Sequence, residues 1–400
     1  MFLHYIIAIV TGIVIGILTG LAPGVHINLV STLVVSASPF LMKYTNAVVL
    51  CTFIIALSIT HVFLDSLPSV FLGAPESETA LGVLPGHRYL LKGMGLMAVK
   101  LTVIGSFSAL LLSVFLFPVF IPIVRYGYPF LARMMFWLLL ASVGFMILRD
   151  QKKVWACVVF ALAGLLGLVV FKLELREPML PMLSGLFGVS TMLMSINEQN
   201  TIPPQMQTTK IKLRFGTALK AVCSGQLSGF ITAIMPGLGA STAAVMSMQF
   251  TRKLGDHGFM ILMGAINTAN FVLSLVALFV LNKARNGSIV AVQKLIANVT
   301  PHTILIFLST ALITGGIGVV LALFLGKGFC ACISRINYPK LIMSVILFIV
   351  FLTAVLAGPL GILVLVVSTA LGLVPAIVKV TRTHAMACLL VPVMIYFWPF

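Results

Sequence analysis

The sequence predicts an all-α, polytopic integral membrane protein of about ten to twelve transmembrane helices, with broken or re-entrant helices arranged in two repeated, inverted halves. Three observations predict it. Of 400 residues, 60% are apolar and only 8% are charged, with a mean hydropathy of +1.19; soluble domains carry about 25% charged residues. Apolar runs long enough to cross a bilayer, about 20 residues each, recur between short polar loops. A Pro-Gly interruption within membrane-depth hydrophobicity occurs twice, as Leu21-Ala-Pro-Gly-Val-His-Ile-Asn28 and as Met235-Pro-Gly-Leu-Gly-Ala-Ser241. An offset of 213 positions sets Gly16 on Gly229, Thr19 on Thr232, Pro23 on Pro236 and Gly24 on Gly237.

In chain order, the first run extends from Tyr5 to Leu21 and stops at Pro23-Gly24, because proline lacks the N–H that a helix needs and glycine tolerates non-helical angles. Residues 27–40 are short and rich in Ser and Thr, and read as the second half of a broken helix. Further runs follow at about 46–64, 94–120, 130–148, 154–171 and 179–196. The first half takes residues 1–200, a polar and basic connector takes 201–215, and the second half takes 216–400. After Pro236 come runs at 258–281, 302–326, 341–357, 358–378 and 385–397. Near the end of each half, Ala163-Gly-Leu-Leu-Gly167 matches Ala357-Gly-Pro-Leu-Gly361.

The charge balance is strongly basic, with 25 Lys and Arg against 8 Asp and Glu. These cations sit in short loops without a nucleic-acid motif, so cytoplasmic anchoring and contact with anionic membrane lipid explain them, and no nucleic-acid partner is expected. The positive-inside rule places loops 149–153 and 197–220 in the cytoplasm and 172–177 outside. Six cysteines lie mostly in apolar runs and lack metal-ligand spacing, so they read as small buried residues, and neither a metal nor a cofactor is expected. No cleavable leader is evident, since Tyr5 to Leu21 has no basic segment before it and flows into the Pro-Gly break.

Paired interruptions in corresponding places are the strongest sequence pointer to a transporter's binding site. A half-helix starting inside the membrane offers free N–H groups and a positive dipole end to an anion. The substrate-binding candidates are therefore Pro23, Gly24, Val25, His26 and Asn28 in one half, and Pro236, Gly237, Leu238, Gly239, Ser241 and Thr242 in the other. Asn267 and Asn270, at i and i+3 on one helix face, either hydrogen-bond neighbouring helices or line the substrate path. Ionisable residues at membrane depth are functional hypotheses by default, and His26, His61, Asp65, Glu76 and Glu78 are the candidates for ion coupling. Asp256 beside Arg252, Lys253 and His257 reads as a loop ion pair. No catalytic residues are expected: there is no His-Glu-x-x-His, no phosphate-binding Gly-Lys-Ser/Thr loop and no nucleophile elbow.

These residues resemble the TctA family, the large membrane subunit of tripartite tricarboxylate transporters, in the form of its compact archaeal-type members. The family repeats Pro-Gly-x-Gly; the second copy here is Pro236-Gly-Leu-Gly239, and the first departs as Pro23-Gly-Val-His26. A loop motif of the family is similar to Gly73-Ala-Pro75 followed by Pro85-Gly-His-Arg-Tyr-Leu-Leu-Lys-Gly93, which makes Gly73, Pro75, Gly86 and Arg88 its loop residues here. Asn267 to Asn270 fits an Asn-containing stretch of the family's second half, and nothing fits its second Gly-x-Pro-Gly. The ending, Ala357-Gly-Pro-Leu-Gly361 with Leu371-Gly-Leu-Val-Pro375, Arg382-Thr-His-Ala-Met386 and Leu390-Val-Pro392, is similar as well. The resemblance implies secondary active transport of a small di- or tricarboxylate-like anion in the plasma membrane of a prokaryote. It also implies a small membrane subunit and a soluble substrate-binding protein as partners; a homodimer is open. A different reading, translocation of a phosphorylated polyprenyl lipid carrier, fits paired Pro-Gly breaks with basic residues too. A non-transporting scaffold would instead keep straight helices at both Pro-Gly sites.

Overall fold

The computed structural model describes residues 2–22, 27–72, 83–197, 203–207, 213–234, 243–244, 247, 254–284, 286–296, 298–333 and 338–398. All regular elements among them are helical. Helix α1 (Phe2–Leu21) is followed by α2 (Ile27–Leu41), α3 (Ala47–Leu64), α4 (Ser66–Phe71), α5 (Val83–Leu91), α6 (Gly95–Phe115), α7 (Phe117–Arg149) and α8 (Lys153–Lys172). Next come α9 (Met179–Leu183), a π-helical turn (Ser184–Val189), α10 (Ser190–Asn197) and α11 (Phe215–Ile234). The chain continues through α12 (Gly255–Leu281), α13 (Gly287–Leu295), α14 (Pro301–Ile333), α15 (Tyr338–Val378), a 3-10 turn (Arg382–Met386) and α16 (Ala387–Tyr396). Seven helices among the described residues are long and apolar enough to span a membrane, or eight when the bent α7 is taken as one span. The apolar runs read separately at 341–357 and 358–378 are two helices that meet at a kink within α15, where Gly358 adopts φ 71° ahead of Pro359.

The helices gather into a central body and a flank. The central body joins α1–α6 to α11–α14 through two apolar clusters, one around Phe63, Leu110, Phe271 and Phe307 and the other around Leu67, Leu96, Ile261 and Ala322. Helices α3 and α12 are its axis: 83% of the α3–α4 span and 78% of α12 are enclosed, against 22% of α1. A third cluster unites the second half of α7 with α8, α9, the π-turn, α15 and α16 as the flank. Helix α7 connects the two, bending by 78° between Phe117–Leu131 and Arg133–Arg149. Pro129 lies in that stretch, where its ring removes the bond to the Arg125 carbonyl and crowds it.

Apolar helices gain nothing by leaving lipid for one another, so close packing falls to small residues. Along α1, added Cβ atoms at Gly12 and Gly16 would lie 2.7 Å from the carbonyl oxygens of Phe53 and Leu57 on α3. On α11, Gly225 and Gly229 meet Ala265, Ala269 and the Leu262 and Ile266 carbonyls of α12 in the same manner. The 213-position offset found in the sequence carries Gly12 to Gly225 and Gly16 to Gly229, and it also carries the whole of α1 onto α11, Phe to Phe at the start and Leu21 to Ile234 at the end. Within this packing, Leu57 and Thr60 occupy the places of Ile266 and Ala269. The second sequence match does not behave this way. Gly164 and Gly167 sit in an uninterrupted α8 against Val391 and Cys388, whereas Gly358 is a kink and Gly361 faces its own turn.

A polar clamp closes the flank. Asp150, between α7 and α8, accepts hydrogen bonds from Lys152 N (3.1 Å), Thr381 N (3.0 Å), Thr381 Oγ1 (3.0 Å) and His384 Nε2 (3.0 Å). Lys152 Nζ reaches back to the Val378 carbonyl, 3.0 Å away. Burial by itself would raise the Asp150 carboxyl, but the bonds from Thr381, Lys152 and His384 outweigh it and hold the group well below the usual carboxylate range.

Candidate functional site

The axis helices meet at a polar seam. Asn267, near the middle of the 27-residue α12, donates from Nδ2 to Asp65 Oδ2 at 3.0 Å. Asp65 ends α3 and opens α4, and it is buried, only 2% exposed. A cavity beside the pair is lined by Asp65, Ser66, Ser69, Thr102, Gly264 and Asn267, with Val62, Val70, Met260 and Met263 completing its wall. The volume open to the centre of a water molecule is about 20 Å³, room for one water or two. Gly264 makes the seam tight: a Cβ there would fall on the Thr102 carbonyl of α6.

One turn before Asp65, His61 Nδ1 lies 3.1 Å from Thr19 Oγ1 of α1, both side chains buried. This contact and Gly20, which meets His61 and Leu64, bring the end of α1 against the segment leading to Asp65. In the second half, Gly229 brings the end of α11 against Asn270 N of α12. Both helices that precede a Pro-Gly pair in the sequence thus finish on one of the two axis helices. The residues that follow, Pro23, Gly24, Val25 and His26 in one half and Pro236, Gly237, Leu238, Gly239, Ser241 and Thr242 in the other, lie outside the described residues, as do Gly73, Pro75, Glu76 and Glu78. Asn28 is the second residue of α2, its side chain outside the description.

The remaining candidates separate. Asn267 and Asn270 do not act as one pair: the first turns its amide to Asp65 while the second sets its backbone against Gly229 and accepts from Ser274 Oγ at 2.7 Å. Gly86 is buried on α5, where a Cβ would come within 3.1 Å of Val70 Cγ2. Arg88 donates from Nη2 to Asp256 Oδ1 at 2.9 Å, and the adjacent Tyr89 hydroxyl lies 2.8 Å from His257 Nδ1, so α5 docks on the first turn of α12. The sequence reads Asp256 as part of a loop ion pair, of which Arg252 and Lys253 lie outside the described residues; its partner among the described ones is Arg88, 168 positions upstream. Because the two side chains remain 59% and 39% exposed, replacing Arg88 with Ala is expected to change stability by less than about 1 kcal/mol, as read from thermal unfolding in detergent.

Several buried polar groups had no place in the reading of the sequence. Ser113 and Gln226 exchange hydrogen bonds between α6 and α11, with Gln226 Nε2 donating to Ser113 Oγ at 2.8 Å. Ser106 donates to the Gly264 carbonyl at 3.2 Å. Thr102, Ser106 and Ser113 stand at i, i+4 and i+11 of α6, a single helical stripe facing α11 and α12. That spacing was the available signal.

The tripartite tricarboxylate transporter TctA family matches residues 6–387. The chain belongs to this family. As a TctA-family protein it is a multi-pass membrane component of a transporter, and the family is one of transporters, not enzymes. The match does not favour translocation of a phosphorylated lipid carrier. The chain is also 27% identical to the uncharacterized protein MJ1079 of Methanocaldococcus jannaschii over 346 residues, covering 85% of this chain and 84% of that protein. No solved structure matches it.

Proposed function

We propose that this TctA-family protein is the permease of a secondary active transporter for a small di- or tricarboxylate-like anion, built from two inverted repeats over residues 1–200 and 216–400 joined by 201–215. The observation that carries this reading is the equivalence of α1 and α11. Each is a 20-residue helix packed through glycines on an axis helix, and each ends immediately before a Pro-Gly pair. Free N–H groups following such a pair suit an anionic carboxylate. The two-body architecture supports alternating access: the central body carries the site, the flank serves as scaffold, and the bent α7 links them. A small membrane subunit and a soluble binding protein complete the assembly, in a prokaryotic plasma membrane.

Replacing Gly239 with Val tests the anion site. Carboxylate affinity of the purified protein, followed by ligand-induced thermal stabilisation, is expected to fall at least about tenfold. Unchanged affinity rejects the assignment of substrate to the Pro236-Gly237 break.

A further inference from the structure

We propose that the cavity between Asp65 and Asn267 is a sodium site, the seat of the coupling ion. The inference deepens the transport reading and rests on it for the ion's role, though not for its binding.

The cavity presents acceptors. Asn267 is 97% enclosed, and its Nδ2 donates to Asp65, a bond that fixes the amide orientation because a carboxylate only accepts. Its Oδ1 is thereby left buried without a hydrogen-bond partner, a state that costs about 1–3 kcal/mol unless a ligand meets it. Thr102 Oγ1 spends its hydrogen on the Ala98 carbonyl (3.1 Å) and Ser66 Oγ on the Phe63 carbonyl (3.3 Å). Both hydroxyls therefore turn lone pairs, not protons, to the remaining space. A carboxylate, an amide oxygen and hydroxyl oxygens make the all-oxygen donor set of a hard cation.

Charge and size narrow the ion. One carboxylate lines the cavity, and no group of three or more His, Cys, Asp or Glu occurs among the described residues, so a transition metal finds no imidazole and no thiolate, only the weak thioethers of Met260 and Met263, and a divalent ion finds only half its countercharge. Room for one or two waters admits a partly dehydrated monovalent ion. The location suits coupling: Asp65 follows the segment against which α1 ends, and Asn267 precedes by one turn the residue against which α11 ends. Occupancy of this seam therefore bears on the helices that lead into both Pro-Gly breaks.

Thermal unfolding of the purified full chain in detergent tests the site, with NaCl exchanged for choline chloride or KCl at constant ionic strength and no carboxylate present. Sodium is expected to raise the melting temperature saturably, since a ligand bound only by the folded state stabilises it; potassium and choline are not. Asp65→Asn is expected to abolish the sodium response. Asn267→Ala and the near-isosteric Thr102→Val are expected to weaken it about tenfold, and the second preserves packing if the first fails to fold. Equal melting of the unaltered protein in sodium and choline overturns the proposal, as does a full sodium response in Asp65→Asn. Melting that follows pH and ignores sodium assigns the cavity to a proton and overturns it as well. Carboxylate stabilisation measured both in choline and in saturating sodium separates the two readings, since a coupled anion binds better with its ion: if a carboxylate stabilises the protein without any sodium response the cation site alone fails, and if sodium responds while no carboxylate stabilises the protein even in sodium, the anion reading alone fails.

Discussion

Gly105→Val is expected to prevent assembly of the central body. A Cβ at Gly105 would land on the Ile261 carbonyl of α12, and the reciprocal Gly264 meets the Thr102 carbonyl of α6. The obstacle in each case is backbone, so no rotamer change relieves it and the two helices must separate. Overpacking a core costs about 1–3 kcal/mol, and more where nothing can yield. Parting α6 from α12 would also loosen the seam, since Thr102 lines the cavity and Ser106 bonds Gly264. The expected result is loss of the monodisperse peak in size-exclusion chromatography. Gly127→Val, at a position with nothing within 4 Å of an added Cβ, should keep that peak. Normal assembly of both variants would show that the α6–α12 crossing is looser than described.

Asp150→Ala is expected to release the flank clamp at a cost of about 2 kcal/mol or more, because it orphans the N–H groups of Thr381 and Lys152 and the ring of buried His384 together. Its pH dependence has a definite sign. The carboxyl is held below its ordinary range in the folded protein, so the clamp contributes fully above the unfolded-chain value of about 4 and is lost as pH falls toward the folded value. The stability difference between the unaltered protein and the variant should accordingly shrink only below about pH 4. A difference that instead disappears on going from about pH 5 to pH 8 would contradict an ionised Asp150 as the centre of the clamp. Because this contact ties the link between α7 and α8 to the 3-10 turn and the residue before it, the variant also tests whether the flank is rigid enough to act as a scaffold.

How much of this was legible in the sequence depends on the range of the interaction. Composition settled the helical, polytopic class, since a chain with 8% charged residues must satisfy its backbone within helices when it crosses lipid. Helix limits followed closely, as with Ala47–Leu64 against the run 46–64 and Gly255–Leu281 against 258–281, because each is set by local apolar continuity. Asp65 and Asn267 were recognisable one by one as polar residues at membrane depth. Their union was not, for 202 positions separate them and nothing local states which faces of α3 and α12 meet.

The sequence by itself determined the membrane class, the repetition of the Pro-Gly pair and the family, all of which rest on local composition and on order along the chain. Tertiary structure alone decided that Asn267 serves Asp65 while Asn270 lies against α11, that Asp256 reaches Arg88, and that Asp150 gathers Thr381 and His384. It also decided that the match of Gly164 and Gly167 with Gly358 and Gly361 joins positions with different structural parts. Such pairings follow from the rotation of each helix about its axis and from the points where glycines let backbones touch, and these are properties of pairs of helices that no single stretch encodes.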